Sequence, residues 1–206
     1  MKTPPNIGEL HAIIDRALAE DSAGADVTSA ALIPDETEAT ATFLVREPGI
    51  IAGLQVVAAV FTRVNSELCF SPLINDGDTV KRDDHAATVS GSMTSILAGE
   101  RTALNFLQRM SGIATLTRQY VGEIAGTQAT IADTRKTAPG LRLLDKLSVA
   151  IGGGSNHRMN LSDGVLIKDN HLAALRVEGI NLAQAVKKAK TQIPSTVKVE
   201  VEVESI

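Results

Sequence analysis

Apolar residues recur at helical spacing in three segments of the first half of the chain, and apolar and polar residues alternate in another. A spacing of three and four residues predicts a helix, whereas alternation predicts a half-exposed strand. The turn at residues 75–78, with Gly77 between two carboxylates, favours connected strands. The predicted helices cover residues 7–20, 53–64 and 95–110, residues 40–45 form a strand, and residues 21–29 form a loop. The pattern predicts a mixed α/β domain over residues 1–112.

From about residue 113 the pattern changes to a regular alternation of strands and helices. The predicted strands are residues 130–133, 164–167 and 197–203, and the predicted helices are residues 141–151 and 182–190. Such alternation favours parallel strands joined by helices, as in a barrel or a doubly wound sheet. Binding sites in these folds lie at the carboxyl ends of the strands. We therefore predict a second domain of the α/β class over residues 113–206.

The composition narrows the class of protein. A chain of 206 residues, 44% hydrophobic and 21% charged, is able to bury a full core. Its apolar runs are too short to span a membrane, and its first residues lack the apolar region of a signal peptide. The single cysteine excludes an internal disulfide, and the net charge of −4 with few aromatic residues argues against nucleic-acid binding. We expect a cytoplasmic protein without membrane or nucleic-acid partners.

Basic side chains are concentrated between residues 135 and 171 despite the negative net charge. Arg135 and Lys136 belong to the sequence DTRKTAPG at residues 133–140, where a predicted strand ends in a loop. Arginine offers a planar fork for carboxylates, and lysine offers a point charge for phosphates. A solvated loop whose basic groups bind nothing is the alternative. The concentration of positive charge near strand ends predicts a site for a small, heavily anionic substrate.

Two further segments carry basic residues at the ends of predicted elements. Three glycines at residues 152–154 precede His157 and Arg158, and they allow the backbone to turn tightly or to approach a ligand. A simple end of a helix followed by a loop is the alternative. Lys168 ends the apolar strand at residues 164–167. A buried ammonium needs a nearby anion or the open mouth of a site, so either a structural ion pair or a binding site is expected there.

The last predicted strand alternates strictly between valines and charged residues. Its charged face carries Lys198, Glu200, Glu202 and Glu204. An antiparallel edge strand with one wet face is the simplest interpretation. In a parallel α/β unit, however, the valines pack beneath helices and the carboxylates face the mouth of the barrel. Carboxylates in that place would hold Mg²⁺ or ribose hydroxyls.

Five ordered blocks resemble those of the quinolinate phosphoribosyltransferase family. They are ERTALN at residues 100–105, DTRKTAPG at 133–140, GGGSNHR at 152–158, KDNH at 168–171 and VEVEVE at 199–204. The segments AED at 19–21 and DVTS at 26–29 also fit the family's N-terminal part. The resemblance implies a mixed α/β N-terminal domain with an antiparallel sheet, followed by part of a parallel α/β barrel. It also implies a homodimer with shared active sites.

The implied reaction joins quinolinate to phosphoribosyl pyrophosphate with decarboxylation, which gives nicotinate mononucleotide, pyrophosphate and CO₂ in de novo NAD biosynthesis. The residues implied to surround quinolinate are Arg135, His157, Arg158 and Lys168. The other implied residues are Lys136 for phosphate, Glu202 (with Glu200 as second choice) for the metal or the ribose, and Arg101, which enters the neighbouring subunit's site. The implied metal is Mg²⁺, which accompanies phosphoribosyl pyrophosphate, and the expected catalytic residues are Lys136, Lys168 and Glu202.

The family pattern continues with a further acidic strand and glycine-rich loops beyond residue 206. We therefore expect a C-terminally truncated chain that alone binds phosphoribosyl pyrophosphate poorly and turns over little. Two other interpretations remain open. One is a truncated, non-catalytic homologue that acts as a binding module. The other is a related transferase that uses another nitrogen heterocycle.

Overall fold

The computed structural model describes residues 7–203 and divides the chain into two compact units, Met1–Asn156 and His157–Ile206. The helices of the first unit are α1 (Ile7–Glu20), α2 (Val27–Leu32), α3 (Leu54–Val64), α4 (Met93–Glu123) and α5 (Arg142–Ile151). Its strands are β1 (Glu38–Leu44), β2 (Gly49–Ile50), β3 (Cys69–Pro72), β4 (Thr79–Val80) and β5 (His85–Ser92). The second unit contains β6 (Gly164–Ile167), α6 (Asp169–Val177), α7 (Leu182–Gln192) and β7 (Lys198–Val201).

The first unit is built on a three-stranded antiparallel sheet in the order β1-β5-β3. Strands β2 and β4 form a separate antiparallel pair. Helices α3 and α4 pack together, and their apolar faces form the core with the sheet. Phe43, Phe61 and Phe70 meet there, with ring centroids 6.0 to 6.2 Å apart, which suits aromatic side chains. The prediction of a mixed α/β N-terminal part with an antiparallel sheet is confirmed.

The prediction of a loop over residues 21–29 is wrong, because helix α2 begins within it. Asp26 is the N-cap residue of α2, and its side chain accepts hydrogen bonds from the backbone nitrogens of Thr28 and Ser29, at 3.0 and 3.1 Å. These bonds satisfy two of the free N–H groups that every helix start leaves. Helix α2 has six residues and buries only Ser29, so it shows no hydrophobic periodicity in the sequence.

Helix α4 is longer than the sequence pattern predicts. The prediction ended it at Met110, whereas the helix continues to Glu123. Beyond Met110 the buried positions are Ala114 and Thr117, which continue the helical spacing without large apolar side chains. The Thr117 hydroxyl donates to the carbonyl of Ile113 at 2.8 Å, so this polar group is satisfied inside the helix. The helix therefore runs across residue 112, and the domain boundary placed there stays a prediction.

The second unit is a parallel strand pair whose connection contains helices α6 and α7. Strands β6 and β7 pair in parallel, with Leu166 opposite Glu200 and Ile167 opposite Val201. The parallel interpretation is therefore confirmed and the antiparallel edge strand is excluded for β7 in the described residues. Strand β6 has the predicted bounds, and β7 is shorter than predicted. Glu204, the last charged residue of the alternating run, lies outside the described residues.

The strand predicted at residues 130–133 is reduced to a single parallel bridge, between Ala132 and Ser155. Backbone hydrogen bonds from Asp133 to Ser155, at 3.1 Å, and from Ser155 to Ile131, at 2.8 Å, complete this pairing. The apolar residues of 130–133 are too few to extend it. Over residues 7–203, no helix is both long and apolar enough to cross a membrane.

Asp76 links the turn at residues 75–78 to the start of α3. Its Oδ1 accepts hydrogen bonds from the backbone nitrogens of Gly53, at 2.8 Å, and Leu54, at 3.0 Å. A carboxylate at this place satisfies helix N–H groups from outside the helix. Burial raises the pKa of Asp76 above its ordinary value, and the two backbone hydrogen bonds oppose that shift.

Replacement of Asp76 tests this cap. Asp76→Ala removes both acceptor bonds, so we expect a loss of about 1 kcal/mol in the free energy of unfolding. Asp76→Asn keeps an acceptor oxygen and removes the buried charge. Because the folded-state pKa is raised, the stability that Asp76 contributes is present at low pH and is lost as pH rises through that pKa. Urea unfolding from pH 3 to pH 7 should therefore show that the free energy of unfolding of the wild type falls, relative to that of Asp76→Asn, as pH rises. A relative increase with pH would contradict the assignment.

Candidate active site

Arg135 and Lys136 lie in the loop between the Ala132 bridge and helix α5. Thr134 shapes the loop, because its hydroxyl accepts a hydrogen bond from the backbone nitrogen of Lys136 at 3.0 Å. Lys136 is exposed, whereas Arg135 is half-buried. The Nε atom of Arg135 is buried and has no hydrogen-bond partner in the part of the chain that the structure describes. A buried unpaired donor is costly, so this guanidinium is suited to an anionic ligand.

The far end of this loop is attached to helices α4 and α5 by an ion pair. Arg109 of α4 donates two hydrogen bonds to the carboxylate of Asp145 on α5, from Nε at 2.8 Å and from NH2 at 2.9 Å. The same carboxylate accepts from the backbone nitrogen of Ala138 at 3.2 Å. The hydrogen bonds and the charge of Asp145 raise the pKa of Arg109, against the effect of burial. The pair therefore holds the loop that carries Arg135 and Lys136.

Two of the three glycines at residues 152–154 allow close packing within the first unit, and Gly153, with a φ of 99°, allows the tight turn between them. An added Cβ at Gly152 would lie 2.5 Å from the carbonyl oxygen of Ala114 and 2.7 Å from Cβ of Thr117, both in α4. An added Cβ at Gly154 would lie 2.7 Å from a methyl group of Val149. Arg118 also donates from Nε to the carbonyl of Gly152, at 2.9 Å. The structure thus shows a helix end that turns tightly and packs against α4, and an approach to a ligand stays untested.

In the second unit, His157 pairs with the charged face of β7. Its Nε2 lies 2.7 Å from Oε2 of Glu200, and both side chains are about one-third exposed, at 35% and 39%. Arg158 donates from NH1 to the carbonyl oxygen of Gly164 at 3.0 Å, which orients its guanidinium at the start of β6. His157 and Arg158 are thus held by β7 and β6, and Glu200 is a partner of the imidazole.

Lys168 and Glu202 form a second pair at the carboxyl end of the two strands. Lys168 follows the last residue of β6, and its Nζ lies 3.3 Å from Oε2 of Glu202. The backbone nitrogen of Glu202 donates to the carbonyl of Ile167 at 2.8 Å, which continues the strand pairing. The side chains are 41% and 59% exposed, so a ligand can reach both. We predicted either an ion pair or a binding site at Lys168, and the structure shows a solvent-accessible ion pair.

The described residues do not form a resident metal centre. No group of three His, Cys, Asp or Glu side chains within residues 7–203 is arranged to hold a metal ion. Glu202 supplies one accessible carboxylate. Mg²⁺ commonly uses one or two protein carboxylates together with substrate phosphates. One accessible carboxylate is compatible with Mg²⁺ only if other ligands complete its coordination, and the metal role of Glu202 stays a prediction.

The predicted site residues are divided between the two units. Those of the first unit are Arg101, Arg135 and Lys136, and those of the second are His157, Arg158, Lys168, Glu200 and Glu202. Arg101 lies exposed on α4. The structure brings together His157 with Glu200 and Lys168 with Glu202. The convergence of all these residues on one ligand stays a prediction.

Sequence reasoning missed two ion pairs that hold the loop of Arg135. They are Arg109 with Asp145 and Lys146 with Asp133. Lys146 is fully buried, and its sequence position carries a signal: it lies three residues after Leu143 and four before Ala150, on the apolar face of α5. A lysine at that position predicts a buried anionic partner. The sequence contains no comparable signal for the pairing of Arg109 with Asp145, which lies 36 positions away.

Comparison with known proteins identifies the same family over most of the chain. The N-terminal domain of quinolinate phosphoribosyl transferase matches residues 26–111, and its C-terminal domain matches residues 113–206. Quinolinate phosphoribosyltransferase [decarboxylating] 1b of Nicotiana tabacum is 50% identical over 167 residues, which are 81% of this chain and 47% of the relative. Nicotinate-nucleotide pyrophosphorylase [carboxylating] of Mycobacterium leprae is 42% identical over 190 residues, 91% of this chain and 66% of the relative. The chain thus spans about half to two-thirds of the length of these two relatives.

Solved structures agree with the sequence matches. NadC from Streptococcus pyogenes superposes with a TM-score of 0.91 at 38% identity, covering 99% of this chain and 71% of that structure. The nicotinate-nucleotide pyrophosphorylase from Francisella tularensis gives a TM-score of 0.88 at 36% identity, covering 100% and 70%. The architecture, the loop motifs and these similarities lead to one conclusion: the chain belongs to the quinolinate phosphoribosyltransferase family.

Proposed function

We propose that the protein transfers a phosphoribosyl group from phosphoribosyl pyrophosphate to quinolinate with decarboxylation, giving nicotinate mononucleotide, pyrophosphate and CO₂ for de novo NAD biosynthesis. The observation that carries the proposal is the buried Nε of Arg135, which has no hydrogen-bond partner among residues 7–203 and lies in a loop held by the Arg109 and Asp145 pair. A buried guanidinium nitrogen that lacks a partner among the described residues suits a carboxylate ligand.

The proposed quinolinate site consists of Arg135, His157, Arg158 and Lys168. Quinolinate carries two carboxylates, and two guanidinium groups match them better than they match a neutral base, which would leave them unpaired. Positive groups near the ring also favour the electron pair that remains on the ring carbon after CO₂ leaves. The proposed preference for a dicarboxylate therefore follows from the charges of Arg135, Arg158 and Lys168.

Lys136 and Glu202 are proposed to act at opposite ends of the ribosyl transfer. Loss of pyrophosphate builds negative charge on the leaving group and positive charge on the ribose carbon. Lys136 would stabilise the negative charge on the leaving group. The Glu202 carboxylate would stabilise the positive charge on the ribose carbon or bind ribose hydroxyls. Mg²⁺ that accompanies the substrate would neutralise charge on the diphosphate. A charge pair at 4 Å is worth about 4 kcal/mol at an effective dielectric of 20, against about 1 in water, so exclusion of solvent strengthens both contacts.

The proposed assembly is a homodimer in which Arg101 enters the neighbouring subunit's site. Its support is the position of Arg101 on α4, where the residue is exposed and takes no part in the core of its own unit. The proposed location is the cytoplasm, which suits a chain with one cysteine, Cys69, free in the structure. Some plant relatives carry mitochondrial or chloroplastic in their names.

Acceptor preference tests the proposed reaction. The protein produced from its complete gene is assayed with phosphoribosyl pyrophosphate and Mg²⁺, and with quinolinate or nicotinate as acceptor. We expect kcat/KM to be about 100-fold or more higher for quinolinate, because nicotinate leaves one cationic group without a carboxylate. Arg135→Gln should remove most of this preference. Formation of nicotinate mononucleotide is followed by chromatography.

Arg176→Gln is the matched control, since Arg176 is an exposed arginine of α6 outside the proposed site. It should leave the acceptor preference unchanged. Equal use of nicotinate, or turnover of another nitrogen heterocycle alone, would contradict quinolinate as substrate. Binding of quinolinate without any product would instead support the binding-module interpretation.

A further inference from the structure

A hydrogen-bonded group of three residues lies beneath the loop of Arg135 and Lys136. It comprises Asp133, Lys146 and Asn156, and we call it the Asp133 network. Lys146 donates from Nζ to Oδ1 of Asp133, and the two side chains are only 1% and 7% exposed. Asn156, which is exposed, donates from Nδ2 to Oδ2 of Asp133 and to the carbonyl of Lys146, both at 2.7 Å. The network thus joins helix α5 to two loop segments.

The backbone reinforces this connection. Ala132 and Ser155 form a parallel bridge, and Asp133 donates to the carbonyl of Ser155 at 3.1 Å. In sequence, Asp133 is followed after one residue by Arg135 and Lys136, and Asn156 is followed directly by His157. The chain therefore enters the loop of Arg135 and Lys136 from a point that the network holds.

A buried ion pair such as that of Lys146 with Asp133 is weak evidence for a role in stability. Desolvation of a buried ammonium and carboxylate offsets most of their attraction, so replacement by apolar residues of similar size is often neutral or stabilising. Position 146 lies on the apolar face of α5, where a methionine would pack well. Unlike an apolar pair, the ion pair also fixes an orientation, because its charged hydrogen bonds hold the carboxylate of Asp133 between α5 and Asn156.

We propose that Lys146, through Asp133 and with Asn156, is a positioning residue for substrate binding. The network sets the backbone from which Arg135 and Lys136 extend, without touching a substrate itself. The inference rests on the proposed function in one respect, that these two side chains bind the anionic substrates. Disruption of the network should then weaken substrate binding more than it lowers the turnover rate of the bound complex.

The decisive variant is the double substitution Asp133→Asn with Lys146→Met in the protein produced from its complete gene. It removes both charges, and the amide that replaces the carboxylate at position 133 keeps an acceptor oxygen for Asn156. We expect KM for quinolinate to rise about tenfold or more while kcat falls by less than about threefold. Hydrogen exchange of the amides of residues 131–138 should become faster, while the amides of α3 stay protected. A purely structural role would lower the amount of folded enzyme, and hence kcat, at unchanged KM.

A matched control neutralises another ion pair of the same unit. Arg63 and Asp15 form an exposed bidentate pair between α3 and α1, with both bonds at 2.7 Å. The double variant Arg63→Gln with Asp15→Asn makes the same change in charge and should leave KM and the exchange of residues 131–138 unchanged. An increase in KM equal to that of the Asp133 and Lys146 variant would overturn the proposal.

Asn156→Ala keeps the test decisive if the first double variant does not fold. Asn156 is exposed, so its truncation leaves the core intact while it removes both amide donations. We expect a KM increase of about threefold or more and faster exchange at residues 131–133. Unchanged KM and unchanged exchange would overturn the positioning role. Absence of wild-type turnover would refute the proposed function instead, and the exchange measurement would still report on the network.

Discussion

Replacement of Lys136 by alanine is expected to lower kcat/KM for phosphoribosyl pyrophosphate by about 100- to 1,000-fold. This is the usual effect of removing one group that stabilises charge developing in a transition state. Lys136 is exposed, and the loop bond between its backbone nitrogen and Thr134 does not need its side chain. Folding should therefore be intact, with the thermal midpoint and the circular dichroism spectrum of the wild type. Steady-state kinetics at saturating quinolinate measure the loss.

Lys187→Ala serves as the control, because Lys187 is an exposed lysine of α7 outside the proposed site. The affinity for quinolinate of the Lys136→Ala protein, measured by calorimetry, should stay within about threefold of the wild type, since Arg135 and not Lys136 is assigned to the carboxylates. Wild-type activity of Lys136→Ala would refute the phosphate role. A large loss of quinolinate affinity with unchanged use of phosphoribosyl pyrophosphate would reverse the two assignments.

Gly152→Ala is expected to lower the free energy of unfolding by about 2 kcal/mol or more, which is a large effect for one methyl group. The new Cβ would lie 2.5 Å from the carbonyl oxygen of Ala114, a backbone atom that cannot move away by a side-chain rotation. Helices α4 and α5 would have to separate, although they pack together at this point. Urea unfolding followed by circular dichroism measures the change.

Gly112→Ala is the matched control in helix α4. Within residues 7–203, no atom outside the adjacent backbone of α4 lies within 4 Å of a Cβ added there, so the substitution should stabilise the helix, by about 0.5 to 1 kcal/mol. Opposite signs for the two glycine substitutions would support close packing as the reason for Gly152. If Gly152→Ala were as stable as the wild type, the close approach of α4 to residue 152 would be wrong.

Much of the secondary structure could be predicted, because the segments that matched carry strong patterns. Helix α1 and strand β6 have the predicted bounds, since amphipathic spacing and a short apolar run are local signals. The failures occurred where burial uses small or polar groups. Helix α4 continues over Ala114 and Thr117, and α2 depends on the cap from Asp26. Neither feature contributes hydrophobic periodicity.

The sequence named the residues of the candidate site, and their roles stay a prediction, whereas the contacts that each of them makes could not be predicted. Lys168 and Glu202 were expected near strand ends, and their pairing follows from the parallel register of β6 and β7. The support beneath Arg135 was not foreseen. It joins residues distant in the chain, such as Arg109 with Asp145, and long-range pairing leaves little trace in one sequence.

By itself, the sequence determined the family to which this chain belongs, through the DTRKTAPG and GGGSNHR segments, their basic residues and their order. Local patterns are sufficient for this, because spacing and side-chain type are properties of the chain alone. Only the tertiary structure decided that β7 pairs in parallel with β6, that Gly152 lies against α4, and that Lys146 is buried on Asp133. These features depend on which surfaces of the chain are buried against each other, and packing between segments far apart in sequence decides that.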